Sequence, residues 1–331
     1  MRSLALLSLL LSSAVLAQPL KVATLAPEGT TWLKEMRAAS DAAKAKTEGR
    51  AELKFYPGGV MGDSATVLRK IKLGQLHGGA FAAAELGEVN PDVQVYGLPF
   101  LFRTQAEVDA ARVAADPLIK QGFEAKGMVA AGITGGGFIY LMGTKPIGTA
   151  EQLKSTKVWI PEGDVIGQVT FSQAGITPVQ LSIGDVYTSL QTGLIETVGN
   201  TTTGAIAFQW STKLKHMVDM PVSYTVGVLA LDQRALNRLA EADRKVLLDE
   251  IAAAFVRLNT INAADDRKAK EALAKEGIAI AAPSAEEASA WQGIGDRAVA
   301  ELMQRQAVST AVYEAVIKAR DAARQGAGGS P

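Results

Sequence analysis

The chain has 331 residues, with 34 Lys and Arg against 34 Asp and Glu, two His and no Cys. That length suits about two domains of ~150 residues, each with its own core, and 48% hydrophobic with 21% charged residues excludes wholesale disorder. Zero net charge gives no field for nucleic acid or an anionic membrane, and the lack of Cys excludes disulfides, thiolate-held metals and thiol nucleophiles.

Met1-Arg2-Ser3 is a short positive start, and Leu4 to Ala17 is an apolar run ending in Val15-Leu16-Ala17. The run is shorter than the ~20 residues that span a bilayer, so residues 1–17 read as a cleavable signal peptide. The expected product is soluble and periplasmic.

In the mature chain, residues 21–26 read as a buried strand. Residues 30–47 read as a helix with Trp32, Leu33 and Met36 on one face, and residues 51–56 alternate like a strand. Asp63 is placed to cap a helix through Leu73 that Gly74 ends. Strands are expected at 76–83 and 93–98. Two helices follow at 104–115 and 117–125, separated at Pro117, and then a strand at 128–133. Further strands are expected at 138–143, 157–160 and 177–181, with a helix at 163–174. Ser182 to Asp185 has the capping-box pattern for a helix ending at Gly193, and strands at 194–198 and 221–231 complete the alternation. Alternating strands and helices predict an α/β fold with mainly parallel sheets.

Residues 239–275 contain neither Gly nor Pro. As one helix they span about 55 Å at 1.5 Å per residue, enough to run under two lobes; the plainer alternative is two helices broken near Asn259 to Asn262. A short strand at 278–281 and helices at 285–304 and 309–324 come last, followed by a glycine-rich tail at 325–331.

No sequence signature names a reaction. The nucleophile elbow, the phosphate loop, the zinc motif and the dinucleotide fingerprint are all missing. Gly135-Gly136-Gly137 precedes a strand rather than opening a helix. His77 and His216 lack partner motifs and read as structural. The acidic pairs Glu162/Asp164 and Asp265/Asp266 read as solvated turns and helix faces rather than acid–base pairs. The expectation is no enzyme, no cofactor and no metal, but a binding protein whose lobes close on a ligand by hinge motion.

Several segments resemble the DctP-type solute receptors of tripartite ATP-independent periplasmic (TRAP) transporters. They are Thr24-Leu25-Ala26-Pro27 with Trp32, Phe55-Tyr56-Pro57-Gly58-Gly59-Val60-Met61-Gly62, Gly97-Leu98-Pro99-Phe100-Leu101-Phe102-Arg103, Lys145-Pro146-Ile147, and the run from Ser182 through Gly193 to Asn200. The resemblance implies a two-lobed α/β periplasmic binding fold with hinge strands and a long lobe-spanning helix. It also implies TRAP membrane permease subunits as partners and a small organic ligand as cargo. The implied division is residues 18–135 plus about 230–265 for one lobe, and about 136–229 plus 266–324 for the other.

The family usually holds its substrate carboxylate with arginines, whose planar fork suits bidentate pairing. The matching positions here are Trp159 and, in the preceding strand, about Ile139. An unpaired carboxylate in a dry cleft costs several kcal/mol. The departures therefore imply a larger or more apolar ligand in an aromatic cleft built from Trp159, Phe138, Tyr140, Phe171 and Phe208. Asn200 and Tyr140 would orient it. The alternatives are that these aromatics are core, that an organic acid is held by a displaced cation among Lys145, Lys157 and Arg103, or that the chain is an exported α/β enzyme.

Overall fold

The computed structural model describes residues 18–327, apart from the side chains of residues 263, 264, 266, 267 and 327. The expected leader at 1–17 and the end of the expected tail at 328–331 lie outside the described residues. The chain runs β1 (Leu20–Thr24), α1 (Thr31–Lys46), β2 (Leu53–Tyr56), α2 (Ser64–Lys72), β3 (Gly78–Ala82), α3 (Gln105–Glu124) and β4 (Met128–Gly143). It continues through α4 (Ala150–Lys154), β5 (Trp159–Pro161), α5 (Val165–Gln173), β6 (Val179–Leu181), α6 (Val186–Thr192), β7 (Thr197–Asn200), α7 (Thr202–Ala207) and β8 (His216–Val218). It closes with β9 (Ser223–Asp232), α8 (Gln233–Leu236), α9 (Glu241–Lys275), β10 (Ala279–Ala281), α10 (Ala285–Gln304) and α11 (Thr310–Ala327).

Helix starts follow the local chemistry. Thr30, Asp63, Thr104, Thr149, Asp164, Thr201 and Ser284 each accept a backbone N–H of the helix they open. Asp63 is a clear case, with its carboxylate 2.7 Å from Thr66 N. Asp63→Ala is expected to cost about 1 kcal/mol, read as a small fall in melting temperature with unchanged ligand binding.

The main sheet has the order β10-β8-β4-β9-β3-β1-β2, with β7 also on β4, and β5 and β6 pair separately. Parallel pairing joins β1 to β2 and β3, β8 to β10, and β5 to β6. Every antiparallel pair involves one of the two longest strands, β4 or β9. These two run side by side from Met128 opposite Asp232 to Ile139 opposite Ser223 and carry the chain across the molecule. The 35-residue α9 is continuous and packs along β4, α1 and α7, as a brace under both halves would.

Five expectations change. The strand expected at 93–98 is a 3-10 turn, Pro91–Gly97, opened by Asn90 with Pro91 in its first turn. Val93, Gln94, Val95 and Tyr96 are all buried, so there was no polar face to alternate against. Pro117 does not divide α3. The carbonyl its ring leaves unpaired four residues back belongs to Val113, which is 80% exposed and open to water. The strands at 128–133 and 138–143 are one strand with register shifts at Ala130/Gly132 and Gly135/Gly137. Gly137 takes φ +117°, and a Cβ on Gly135 would sit 2.2 Å from the Tyr224 hydroxyl, so these glycines form a bulge rather than a break. Ser182 does not build a capping box: its hydroxyl donates to Asp185 at 2.9 Å, and a 3-10 turn precedes α6. Finally, α11, grouped with the second lobe by the resemblance, packs on α3, which was grouped with the first. Val308, Val312 and Val316 join the core of Val108, Ala115 and Ile119, and Arg324 pairs with buried Glu107 at 3.0 Å.

Candidate ligand-binding cleft

The ends of several strands converge on one cleft. β1 ends at Thr24, β3 leads into Glu85, β5 leads into Asp164, and β7 ends at Asn200; all four residues line the cavity. Ligand sites in open α/β sheets sit at such carboxyl ends, because that is where the chain leaves the sheet and side chains are free to converge. The two long strands supply the floor. From β4 come Gly136, Ile139 and Leu141, and from β9 comes the run Ser223 to Val228. The cavity is about 420 Å3.

All four tryptophans of the chain, Trp32, Trp159, Trp210 and Trp291, line this cleft. Trp159 is only 3% exposed, so it is wall and core together. Its indole N–H donates to the Leu181 carbonyl at 3.0 Å, and its ring meets Trp210 edge to face at 5.3 Å between centroids. Phe208 stacks on Trp210 at 5.5 Å. Gln209, between them, sits in the left-handed region at φ +61°, which turns the chain so that the two neighbouring rings stack.

Of the residues singled out from sequence, Trp159, Asn200, Ile139, Phe171 and Phe208 line the cleft. Phe138 and Tyr140 do not. Ile139 and Leu141 alternate with them along β4 and do line the cavity. Phe138 packs edge to face on the lining residue Tyr224 at 5.1 Å, and the Tyr140 ring lies 5.7 Å from the Lys270 ammonium.

The displaced cations are elsewhere. Lys145 donates to Glu196 at 2.6 Å and, by that hydrogen bond, holds the Glu196 carboxyl below its usual range. Lys157 donates to the Gly193 carbonyl at 2.8 Å, and Arg103 is exposed. Among the described residues, no Lys, Arg or His lines the cleft. His77 accepts the Lys21 N–H at 2.9 Å, and burial together with nearby Arg238 and Lys21 lowers its pKa. That is the structural histidine expected.

Two acids were missed. Asp164 had been read as a solvated turn, but it is partly buried, lines the cleft and caps α5 through Gly167 N at 2.9 Å. Glu85 lines the same cleft, where it accepts the Ser64 hydroxyl and the Ala82 N–H. Burial pushes both carboxyls up, against the lowering effect of those hydrogen bonds. The available signal was position: each follows a strand end by a few residues. Among the described residues no cluster of His, Asp or Glu is suited to a metal ion, and no helix is long and apolar enough to cross a membrane.

The family model DctP, described as bacterial extracellular solute-binding protein, family 7, matches residues 22–306. The chain belongs to this family. A solute-binding protein of Chromohalobacter salexigens is 28% identical over 162 residues, covering 47% of this chain and 46% of that protein. The chain thus aligns to about half the length of that relative. The C4-dicarboxylate-binding periplasmic protein DctP of Rhodobacter capsulatus is 23% identical over 294 residues, covering 87% and 88% of the two chains. The sugar acid binding protein DctPAm of Advenella mimigardefordensis, solved with galactonate, superimposes with a TM-score of 0.86 at 15% identity, covering 93% of this chain and 99% of that one. At that identity the superposition establishes the fold, the two-lobed α/β architecture of TRAP periplasmic receptors. Trp159 and Ile139, the two positions singled out from the resemblance, both line the cleft.

Proposed function

We propose that the chain is exported through residues 1–17 and acts as an extracytoplasmic receptor. Its lobes close over a small organic ligand, which it then delivers to TRAP membrane permease subunits. It performs no chemistry on that ligand. The lobes are those expected from sequence, with β4 and β9 as the crossing strands and α11 reassigned to the first. The observation that carries the reading is the cleft: about 420 Å3, lined by all four tryptophans and by no described cation. Such a lining favours a ligand with a substantial apolar body over a small dicarboxylate.

The acids bound by the relatives, a C4-dicarboxylate in one and galactonate in another, keep a second reading in play, an organic acid held by cations. Against it, Lys145, Lys157 and Arg103 do not reach the cleft lining. Mass spectrometry of ligand retained through gentle purification is expected to recover a compound with an aromatic or branched aliphatic body. In a melting screen, succinate and other simple dicarboxylates are expected to leave the melting temperature unchanged. Broad stabilisation by them would establish the acid reading instead.

A further inference from the structure

We propose that the solute taken by this cleft is an organic cation, a protonated or quaternary amine on an apolar body, with its charge met by Glu85 and Asp164. The inference rests on the receptor reading above and specifies its substrate class.

Three observations converge. The first is the balance of charge: two carboxyl groups line the cavity and no described cation does. A carboxylic acid entering such a space would meet like charge or two neutral acids, with no partner for its own. The second is placement. Glu85 follows β3 and Asp164 follows β5, so the acids come from different parts of the chain and meet only through the cavity. Each holds its position through local hydrogen bonds that leave lone pairs over for a ligand N–H. Glu85 is met by Ser64 of α2 and by the Ala82 N–H, and Asp164 by the Gly167 and Ile166 N–H groups. No neighbouring charge contributes to either.

The third observation is the tryptophans. An indole face attracts a cation, and aromatic cages are a recurring way to hold quaternary ammonium groups. The protein's own cations over rings lie on Tyr56, Tyr187 and Tyr140, none of them in the cleft lining. The four indoles of the cleft are thus not served by any of those internal pairs.

Empty and desolvated, the two acids favour their protonated forms. A bound cation favours the ionised forms, so binding releases protons. Affinity for a cation therefore rises with pH through the carboxyl range, the opposite sign from that expected for an anionic ligand.

The tryptophans allow a direct readout. Tryptophan fluorescence would be titrated with three probes of similar body: 2-phenylethylammonium, 2-phenylethanol and 3-phenylpropionate, with tetrabutylammonium as a permanently charged control. The cations are expected to bind at least tenfold more tightly than the alcohol and the carboxylate, and to tighten as pH rises. Glu85→Gln, whose oxygen can still accept the Ala82 N–H while its amide N–H donates to the Ser64 hydroxyl, and Asp164→Asn, which keeps the acceptor for Gly167 N–H, are expected each to remove most of that preference. They should weaken binding of 2-phenylethanol far less than binding of the cations. Tightest binding by the alcohol or the carboxylate, or a cation preference that survives both substitutions, overturns the charge assignment while the receptor reading stands. No fluorescence change with any probe also overturns the assignment, and the retained-ligand measurement then decides the receptor reading separately.

Discussion

Replacing Trp159 with alanine is expected to lower the melting temperature by on the order of 10 °C and to weaken ligand binding at least tenfold. The first effect follows from burial. A tryptophan 3% exposed, packed on Trp210 and bonded to the Leu181 carbonyl, leaves a large void when truncated. Large-to-small changes of this kind cost about 3–5 kcal/mol, and in a chain of this length each kcal/mol moves the transition by about 2–4 °C or somewhat less. The second effect follows from the same contact. Trp159 packs edge to face on Trp210, so losing it loosens Trp210 and with it the wall of the cleft. Stability and binding should fall together, because one ring serves both. Ile139→Ala provides the contrast. Ile139 is partly exposed in the cavity, so its truncation should weaken binding with a much smaller loss of stability. Thermal unfolding and fluorescence titration of the two variants separate these roles. Intact binding in Trp159→Ala, adjusted for the folded fraction, would reduce Trp159 to core alone.

The second large effect is expected at Asn259. Its side-chain oxygen accepts from Arg112 at 2.9 Å, from the Thr134 hydroxyl at 3.0 Å and from the Gly135 N–H at 2.9 Å. Asn262, one turn on, donates to the Gly135 carbonyl at 2.7 Å. Together they fasten α9 to the glycine bulge of β4. Arg112 ties the same point to α3, donating also to the Ile133 carbonyl at 2.7 Å and to Asp116 at 3.0 Å. Asn259→Ala leaves a partly buried guanidinium, a hydroxyl and an amide each short of a partner. Its cost is expected at about 2–4 kcal/mol. Asn259→Asp restores the acceptor and should recover most of the loss. If the bulge is the pivot of closure, Asn259→Ala should also raise the radius of gyration of the ligand-free protein in small-angle scattering. Equal melting temperatures for Ala and Asp would remove the acceptor from this account.

The sequence went further with secondary structure than with the site. Caps such as Thr30, Asp63 and Ser284 act through three residues of local chain, so they were legible wherever they occurred. The unbroken run under α9 was legible for the same reason, since neither a Gly nor a Pro interrupts it. Errors arose where burial or a distant partner overruled local pattern. The four consecutive buried residues at 93–96 removed the alternation that marks a strand, and solvent at Val113 let α3 continue through Pro117. The glycine run at 135–137 looked like punctuation, yet it lets β9 approach β4 closely enough for Tyr224 to lie over Gly135.

In the cleft, Trp159 and Ile139 were singled out because a resemblance pointed at positions, and both line it, whereas their strand neighbours Phe138 and Tyr140 do not. Glu85 went unnoticed and Asp164 was dismissed, since nothing within a few residues of either carboxyl reveals that the other shares its cavity. By itself the sequence determined the charge neutrality, the absence of thiol chemistry, the family and most helices and strands, because each is set by composition or by neighbours along the chain. Only the tertiary structure decided that every tryptophan faces one cleft and that two acids, not two arginines, stand in it, because convergence at strand ends depends on which strands lie side by side.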